Sequence, residues 1–211
     1  MTNRTIDLYW SVRSPYCYLA LDRLLALQGD GVTIHLKPVY PIAIRDPNFF
    51  KVRASKHYRS YSMLDTPRIA ECHGIPFRRP VPDPIVQNLE TGEIAIDQPH
   101  VRLITRLTML AAEQGRGMAF IDQTARLLWD GGTDNWDQGS HMTDAARRAG
   151  LDYNELLAEA ETDPDSIDAR IQKNEAAQEA AGHSGVPLMV YDGEPFFGQD
   201  RIDLLRWRMG L

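Results

Sequence analysis

Strand-like patterns occur at the two ends of this chain, and the long segment between them carries the patterns of helices. Residues 6–12 alternate apolar with polar or smaller side chains, which predicts a strand. Ser14 and Pro15 follow as a helix N-cap and a first helical residue, and apolar residues then recur at helical spacing as far as Gly29. Residues 32–38 alternate again. This opening segment predicts a β-α-β unit with parallel strands and a right-handed crossover.

The C-terminal segment again carries the sequence pattern of β-strands. Residues 186–191 are apolar and rich in β-forming side chains, and Asp192-Gly193 is typical of a type I′ hairpin turn. Residues 195–197 are predicted to form the returning strand at a sheet edge, because that segment begins with proline. Asp200 is predicted to cap a final helix. The C-terminal segment therefore predicts β-β-α.

Residues 45–182 show little strand patterning. Apolar residues recur there at helical spacing in four stretches, and a proline-rich loop precedes them. The sequence therefore predicts one domain made from residues 1–44 and 183–211, with residues 45–182 as an all-helical insertion. The four predicted helices cover residues 101–110, 121–129, 142–149 and 163–181.

Charge and composition exclude several classes of protein. Lys and Arg number 23 against 29 acidic residues, so 23 − 29 = −6, which argues against a general nucleic-acid binder. No apolar run approaches the ~18 residues of a membrane span, and the first residues carry no signal-peptide pattern. Two cysteines are too few for a disulfide framework, so a cytoplasmic location is expected. The six histidines lack ligand spacing, so no metal site is expected.

One segment carries an excess of positive charge, although the chain as a whole is negatively charged. Residues 45–79 carry eight Lys or Arg and three acidic residues, a balance of +5. Such a patch on an acidic protein could attract a small anionic ligand. A solvated helical face is the alternative interpretation.

The order β-α-β, helices, β-β-α resembles the thioredoxin fold of DsbA-like proteins. Gly185-Val186-Pro187 stands where that fold carries a cis-proline before its third strand. Ser14-Pro15-Tyr16-Cys17 stands where it carries a Cys-x-x-Cys motif. A dithiol cycle needs two exchanging sulfurs, so Ser14 argues against ordinary thiol–disulfide exchange. Cys17 is expected to be a small buried core residue.

Both motifs together resemble the 2-hydroxychromene-2-carboxylate isomerases and the related kappa-class glutathione transferases. The first motif is Ser-Pro-Tyr after a first strand, and the second is Gly-Val-Pro followed by Asp-Gly-Glu-Pro-Phe-Phe-Gly-Gln-Asp-Arg. The resemblance implies an α/β, thioredoxin-like fold with a large all-helical insertion, glutathione as the cofactor, and a homodimer.

The resemblance implies that the Ser14 hydroxyl holds the glutathione sulfur as a thiolate. A free thiol has a pKa of about 8.5 and is only about 3% ionised at pH 7. A helix N-terminus and a hydroxyl donor both favour the anion. A pKa lowered by about two units would ionise roughly three quarters of the thiol. A plain N-cap is the structural alternative for Ser14.

The resemblance also implies further glutathione contacts. The backbone of Val186, before the cis-proline, would pair with the peptide part as a short strand. The γ-glutamyl ammonium would bind Asp200, and its carboxylate would bind Gln199 and the last helix's N-terminus. An asparagine and a lysine after the second strand complete the implied cofactor-binding set: Asn48, Lys56, Val186, Pro187, Gln199 and Asp200.

The reaction implied is a cis–trans isomerisation of a small anionic substrate derived from aromatic-ring degradation. The thiolate would add to a conjugated double bond, the adduct would rotate, and elimination would return glutathione. The substrate carboxylate could bind Arg45, Arg53 or Arg59, and the pocket could include Trp10, Tyr16, Phe49 and Phe50, although core packing also explains Trp10. The alternatives are a kappa-class glutathione transferase, a non-catalytic thioredoxin-fold binding module and a thiol oxidoreductase.

Overall fold

A computed structural model describes residues 4–49, 52, 54, 57–88, 91 and 93–211. Its strands are β1 (Thr5–Trp10), β2 (Thr33–Pro38), β3 (Leu188–Tyr191) and β4 (Glu194–Phe197). The helices before β3 are α1 (Pro15–Gly29), α2 (Ile42–Arg45), α3 (Tyr58–His73), α4 (Pro99–Glu113), α5 (Gly117–Trp129), α6 (His141–Arg148), α7 (Tyr153–Thr162) and α8 (Pro164–Ala180). A 3₁₀ turn (Gln199–Arg201) and α9 (Ile202–Met209) follow β4.

The four strands form one mixed sheet in the order β2-β1-β3-β4. β1 and β2 are parallel, as the β-α-β pattern predicted, and β3 lies antiparallel to both β1 and β4. The hairpin between β3 and β4 is confirmed, since φ is 50° at Asp192 and 78° at Gly193, as a type I′ turn requires. β4, which contains Pro195, is an edge strand, as predicted.

The segment between β2 and β3 contributes helices, and the four predicted ones are all present as α4, α5, α6 and α8. The sequence pattern missed the one-turn helix α2, and it also missed α3 and α7 as separate helices. α3 contains Pro67 in its interior and exposes many of its apolar side chains, so its apolar residues do not mark one face. α7 and α8 adjoin at Asp163, which ends one helix and precedes Pro164 of the next.

One contiguous cluster of buried side chains runs through the sheet, α1 and the inserted helices. Trp10, Phe120 and Trp129 are among its largest fully buried members. Trp10 is therefore a core residue rather than part of a pocket wall. The division into residues 1–44 with 183–211 and residues 45–182 stays a prediction, because this packing is continuous across it.

The topology brings separate chain segments to one end of the sheet. β1 leads into Ser14 at its C-terminal end, and β2 leads into α2 at the same end because the two strands are parallel. β3 begins there, because Tyr9 pairs with Leu188 in the antiparallel register. β4 ends there, since Leu188 pairs with Phe197. A functional site at this end of the sheet can therefore include residues from all four segments.

Candidate functional site

Ser14 is the N-cap of α1. Its φ of −87° and ψ of 117° are extended, and its Oγ accepts a hydrogen bond from the Cys17 N–H at 3.3 Å. The Ser14 N–H donates to the Ser11 carbonyl at 3.1 Å, which fixes the turn between β1 and α1. Pro15 lies in the first helical turn, as the sequence predicted. The Ser14 hydroxyl therefore stands at the positive end of a 15-residue helix.

Cys17 is fully buried. Burial raises the pKa of its thiol to about 12, which outweighs the opposing hydrogen bonds from Ser14 and from the Ser11 backbone. A buried thiol with a pKa raised in this way is a poor nucleophile at neutral pH. The expectation of a small buried core residue is confirmed. The second cysteine, Cys72, is exposed and also free.

The Val186–Pro187 peptide bond is cis, as the sequence predicted. Pro187 directly precedes the β3 residue that pairs with Tyr9, so it lies beside the C-terminal end of β1. Its carbonyl accepts a hydrogen bond from the Gly198 N–H at 2.9 Å. That bond connects the cis-proline to the turn containing Gln199 and Asp200.

Side chains from the inserted helices contact the loop before the cis-proline. Arg45 donates to the Ser184 carbonyl at 2.8 Å and to Gln178 Oε1 at 3.1 Å. Gln178 Nε2 donates to the Gly185 carbonyl at 2.7 Å. His183 accepts from the Gly185 N–H through Nδ1 at 2.8 Å and stacks on Phe197. Arg45, which was predicted as a possible site for the substrate carboxylate, instead supports this loop.

The turn after β4 carries the residues predicted for the γ-glutamyl end of glutathione. Gln199 accepts a hydrogen bond from Arg23 of α1, a residue that the sequence pattern did not single out. Asp200 is exposed and accepts from Arg201 at 2.8 Å. Its predicted role as the side-chain cap of α9 is wrong, because the helix starts after a 3₁₀ turn and has no side-chain cap bond. The Asp200 carboxylate instead folds back against Gly198.

The segment after α2 is described only in part. Asn48 is exposed, and its described bonds are local: its N–H donates to Asp46 Oδ1 at 3.2 Å, and its carbonyl accepts from Val52. No described contact brings its side chain to Ser14. Predictions made for the following positions lie outside the described residues or side chains: Phe50, Arg53, Lys56 and Arg59.

Tyr16 extends from the first turn of α1 toward α3, where its hydroxyl donates to Asp65 Oδ2 at 2.9 Å. Burial raises the pKa of Tyr16, and the Asp65 bond and charge add to that rise. Tyr58 and Tyr61, also close enough to influence this pKa, are 46% and 59% exposed. Phe49 meets Tyr58 edge to face at 6.4 Å. These residues form an aromatic surface, open to solvent, beside the start of α1.

Within the described ranges, no cluster of three or more His, Cys, Asp or Glu side chains is arranged to hold a metal ion. The described helices also include none that is both long and apolar enough to span a bilayer.

Solved structures with the same fold include proteins of different activities. A 2-hydroxychromene-2-carboxylate isomerase is 22% identical with a TM-score of 0.74, and the match covers 98% of this chain and 94% of that one. A probable DsbA oxidoreductase from Streptomyces coelicolor is 19% identical (TM-score 0.66; 98% and 90% covered). The cytosolic disulfide reductase DsbM from Pseudomonas aeruginosa, solved with GSH, is 16% identical (TM-score 0.60; 98% and 100% covered).

At these identities the structural matches establish the fold alone. No curated protein sequence matches this chain significantly. A family model, the DSBA-like thioredoxin domain, matches residues 5–210, nearly the whole chain. The expected α/β thioredoxin-like fold with inserted helices is confirmed, and the chain belongs to the DsbA-like thioredoxin domain family.

Proposed function

We propose that this protein is a glutathione-dependent cis–trans isomerase of a small, conjugated, anionic substrate. The observation that carries the proposal is the Ser14 hydroxyl at the N-terminus of α1, at the same end of the sheet as the cis-proline Pro187. The sulfur nearest to it in sequence, that of Cys17, is buried and protonated. A site of this kind lacks a thiolate of its own and suits a ligand that supplies one.

Ser14 would stabilise the glutathione thiolate. Its Oγ accepts from the Cys17 N–H, and its one hydroxyl hydrogen, which can also reach the Cys17 sulfur, would turn to donate to a sulfur anion in front of the helix. The positive end of the α1 dipole acts in the same direction. A pKa lowered by about two units raises the thiolate fraction at pH 7 from about 3% to roughly three quarters.

The remaining proposed glutathione contacts come from other residues at the same end of the sheet. Val186 and Pro187 would pair with the peptide backbone of glutathione. Gln199 and Asp200 would bind its γ-glutamyl end, with the guanidinium of Arg23 beside Gln199. Asn48 and Lys56 complete the proposed set.

The proposed reaction is redox-neutral. The glutathione sulfur forms a bond to the β-carbon of a conjugated carbonyl acid, and the π electrons of the carbon–carbon double bond move to the carbonyl oxygen as an enolate, so that this bond becomes single. Rotation about that bond and elimination of the thiolate give the trans isomer and return glutathione unchanged. The aromatic surface of Tyr16, Phe49, Tyr58 and Tyr61 would border the substrate, whose carboxylate would bind Arg53 or Arg59.

A kappa-class glutathione transferase is the second candidate, because Tyr58 and Tyr61 leave the acceptor side open to solvent. An open side admits electrophiles of varied shape, and the same thiolate would attack them.

A cytoplasmic location and a homodimer are part of the proposal. Sedimentation of the purified protein tests the dimer, since a monomer at micromolar concentration would contradict it.

The test is calorimetric titration of glutathione into wild type and Ser14→Ala, with a thiolate ultraviolet-difference titration over pH. Asp152→Ala is the matched control, because Asp152 caps α7 through the Asn154 and Glu155 N–H groups and lies outside the proposed site. We expect the bound thiolate to have a lowered pKa in wild type and the control, and a pKa restored towards the free value of about 8.5 in Ser14→Ala, where the α1 dipole remains.

Absence of binding at millimolar glutathione would rule out both the isomerase and the transferase. It would leave a non-catalytic binding module on a thioredoxin scaffold. Turnover of an insulin disulfide by the wild type would instead support a thiol oxidoreductase.

A further inference from the structure

Two side chains from the inserted segment hold two consecutive carbonyl groups of the cis-proline loop. The guanidinium of Arg45 donates to the Ser184 carbonyl at 2.8 Å, and the amide of Gln178 donates to the Gly185 carbonyl at 2.7 Å. Arg45 also donates to the oxygen of the Gln178 amide at 3.1 Å. The two side chains, called here the Arg45–Gln178 pair, therefore act on the loop as one connected unit.

The two residues of the pair differ in burial. Gln178 is fully buried on α8, and both ends of its amide are used. Arg45 is half-buried at the end of α2, and its described hydrogen bonds go to neutral partners. Glu175 and Glu179 of α8 interact with its charge at longer range, and Glu175 accepts from the Tyr40 N–H at 2.9 Å.

These hydrogen bonds link the positive charge of Arg45 to one backbone donor, the Val186 N–H. A cation bonded to an amide oxygen polarises that amide, so the Gln178 N–H becomes a stronger donor. The Gly185 carbonyl that accepts from it belongs to the same peptide unit as the Val186 N–H. Polarisation of that carbonyl makes the Val186 N–H a stronger donor as well.

We propose that Arg45 and Gln178 are positioning residues, which orient and polarise the Gly185–Val186 peptide for pairing with the backbone of glutathione. This inference rests on the proposed function, because it assigns a partner to the Val186 N–H. It separates two tasks at one site: Ser14 acts on the sulfur, whereas the Arg45–Gln178 pair acts on the peptide part of the ligand.

Three variants test this division of tasks. Arg45→Met removes the charge and keeps much of the side-chain volume. Gln178→Glu keeps an acceptor for Arg45 but removes the donor to Gly185 and places a carboxylate oxygen against that carbonyl. Arg170→Met is the matched control, since Arg170 also lies on α8 but contacts Glu113 instead of the loop.

The variants are compared by calorimetric Kd for glutathione, by the pKa of the bound thiolate, and by hydrogen–deuterium exchange of residues 184–188 without ligand. We expect Arg45→Met and Gln178→Glu to weaken binding by about tenfold, the effect of losing one hydrogen bond to a charged or polarised group. The pKa of the bound thiolate should stay at its wild-type value, and the loop should exchange faster. Arg170→Met should match wild type in all three measurements.

Binding within twofold of wild type in both loop variants would overturn the proposal. So would a thiolate pKa that rises as binding weakens, because the pair would then act on the sulfur or on the fold as a whole. If wild type binds no glutathione, the proposed function fails and the ligand role of the pair fails with it. Exchange in the free protein is a separate readout, and unchanged exchange would show that the pair does not order the loop.

Discussion

Arg13 and Asp83 form a bidentate ion pair, in which Arg13 Nε donates to Asp83 Oδ1 at 2.6 Å and Nη2 donates to Oδ2 at 2.5 Å. Arg13 directly precedes Ser14, and Asp83 lies in the loop that follows α3, so the pair connects the candidate site to the inserted segment. Trp129 adds a second connection, because its Nε1 donates to the Val12 carbonyl at 3.1 Å and its ring lies under the Arg13 guanidinium. The turn that presents Ser14 is therefore fixed from outside the sheet.

The first prediction concerns this ion pair. Asp83→Asn removes the charge that Arg13 faces and weakens the bonds from the Ile85 N–H and Gln87. Both partners are largely shielded, with side-chain exposures of 12% and 27%, so we expect unfolding to require about 1–3 kcal/mol less free energy. Urea denaturation measures this loss. Asp134→Asn removes the carboxylate from the exposed Arg78 pair and should change stability by less than about 1 kcal/mol.

The second prediction concerns Tyr16. Tyr16→Phe removes the hydroxyl that donates to Asp65 and keeps the ring beside the start of α1. Because the Tyr16 hydroxyl is directed to Asp65 of α3, on the proposed substrate side, we expect the Kd for glutathione to stay within about twofold and the KM for the isomerised substrate to rise. A glutathione Kd that weakens as strongly as in Ser14→Ala would contradict this assignment.

The third prediction uses the pKa of Cys17. The folded-state value of about 12 lies above the unfolded value of about 8.5, so the folded state holds its proton more tightly. The stabilisation from the neutral thiol is complete below about pH 8.5 and is lost as the pH rises toward 12. The difference in unfolding free energy between wild type and Cys17→Ala should therefore shrink across that window.

Tyr18 also has its pKa raised to about 12 by burial and titrates in the same range. It is present in both proteins, so the comparison with Cys17→Ala cancels its contribution. A difference that stays constant from pH 8 to 11 would show that Cys17 does not titrate in this way.

The fourth prediction concerns Gly185. A Cβ at this position would lie 2.8 Å from His183 Cε1 and 2.8 Å from Phe197 Cζ, closer than real Cβ contacts. Gly185→Ala must therefore displace the stacked His183 and Phe197 rings or the loop itself. We expect the melting temperature to fall by several degrees and glutathione binding to be lost. Gly29→Ala is the control, because a Cβ there meets nothing within 4 Å.

Local patterns predicted the parts of the fold that depend on neighbouring residues. The Ser14-Pro15 helix start and the Asp192-Gly193 turn are both fixed by the preferences of a few adjacent side chains, and both are confirmed. Asp200 failed as a cap because its carboxylate lies against Gly198 and accepts from Arg201, so it does not bond the backbone N–H groups of α9.

Contacts between distant residues could not be predicted in this way. Arg45 and Gln178 are 133 positions apart, and Arg13 and Asp83 are 70 apart, so no periodicity relates the members of either pair. Arg45 was singled out for its charge, but the sequence alone does not tell whether a guanidinium faces a ligand or a backbone carbonyl. Arg23 was missed because its partner Gln199 is 176 positions away.

The serine at position 14 also determines how the protein would respond to oxidants. A dithiol site changes state with the cellular ratio of reduced to oxidised glutathione, because its two sulfurs close into a disulfide. Here the motif offers a hydroxyl and a buried, protonated Cys17, and neither is readily oxidised. Under the proposed function, turnover would follow the concentration of reduced glutathione, and the Ser14 motif itself would form no disulfide that switches the site off.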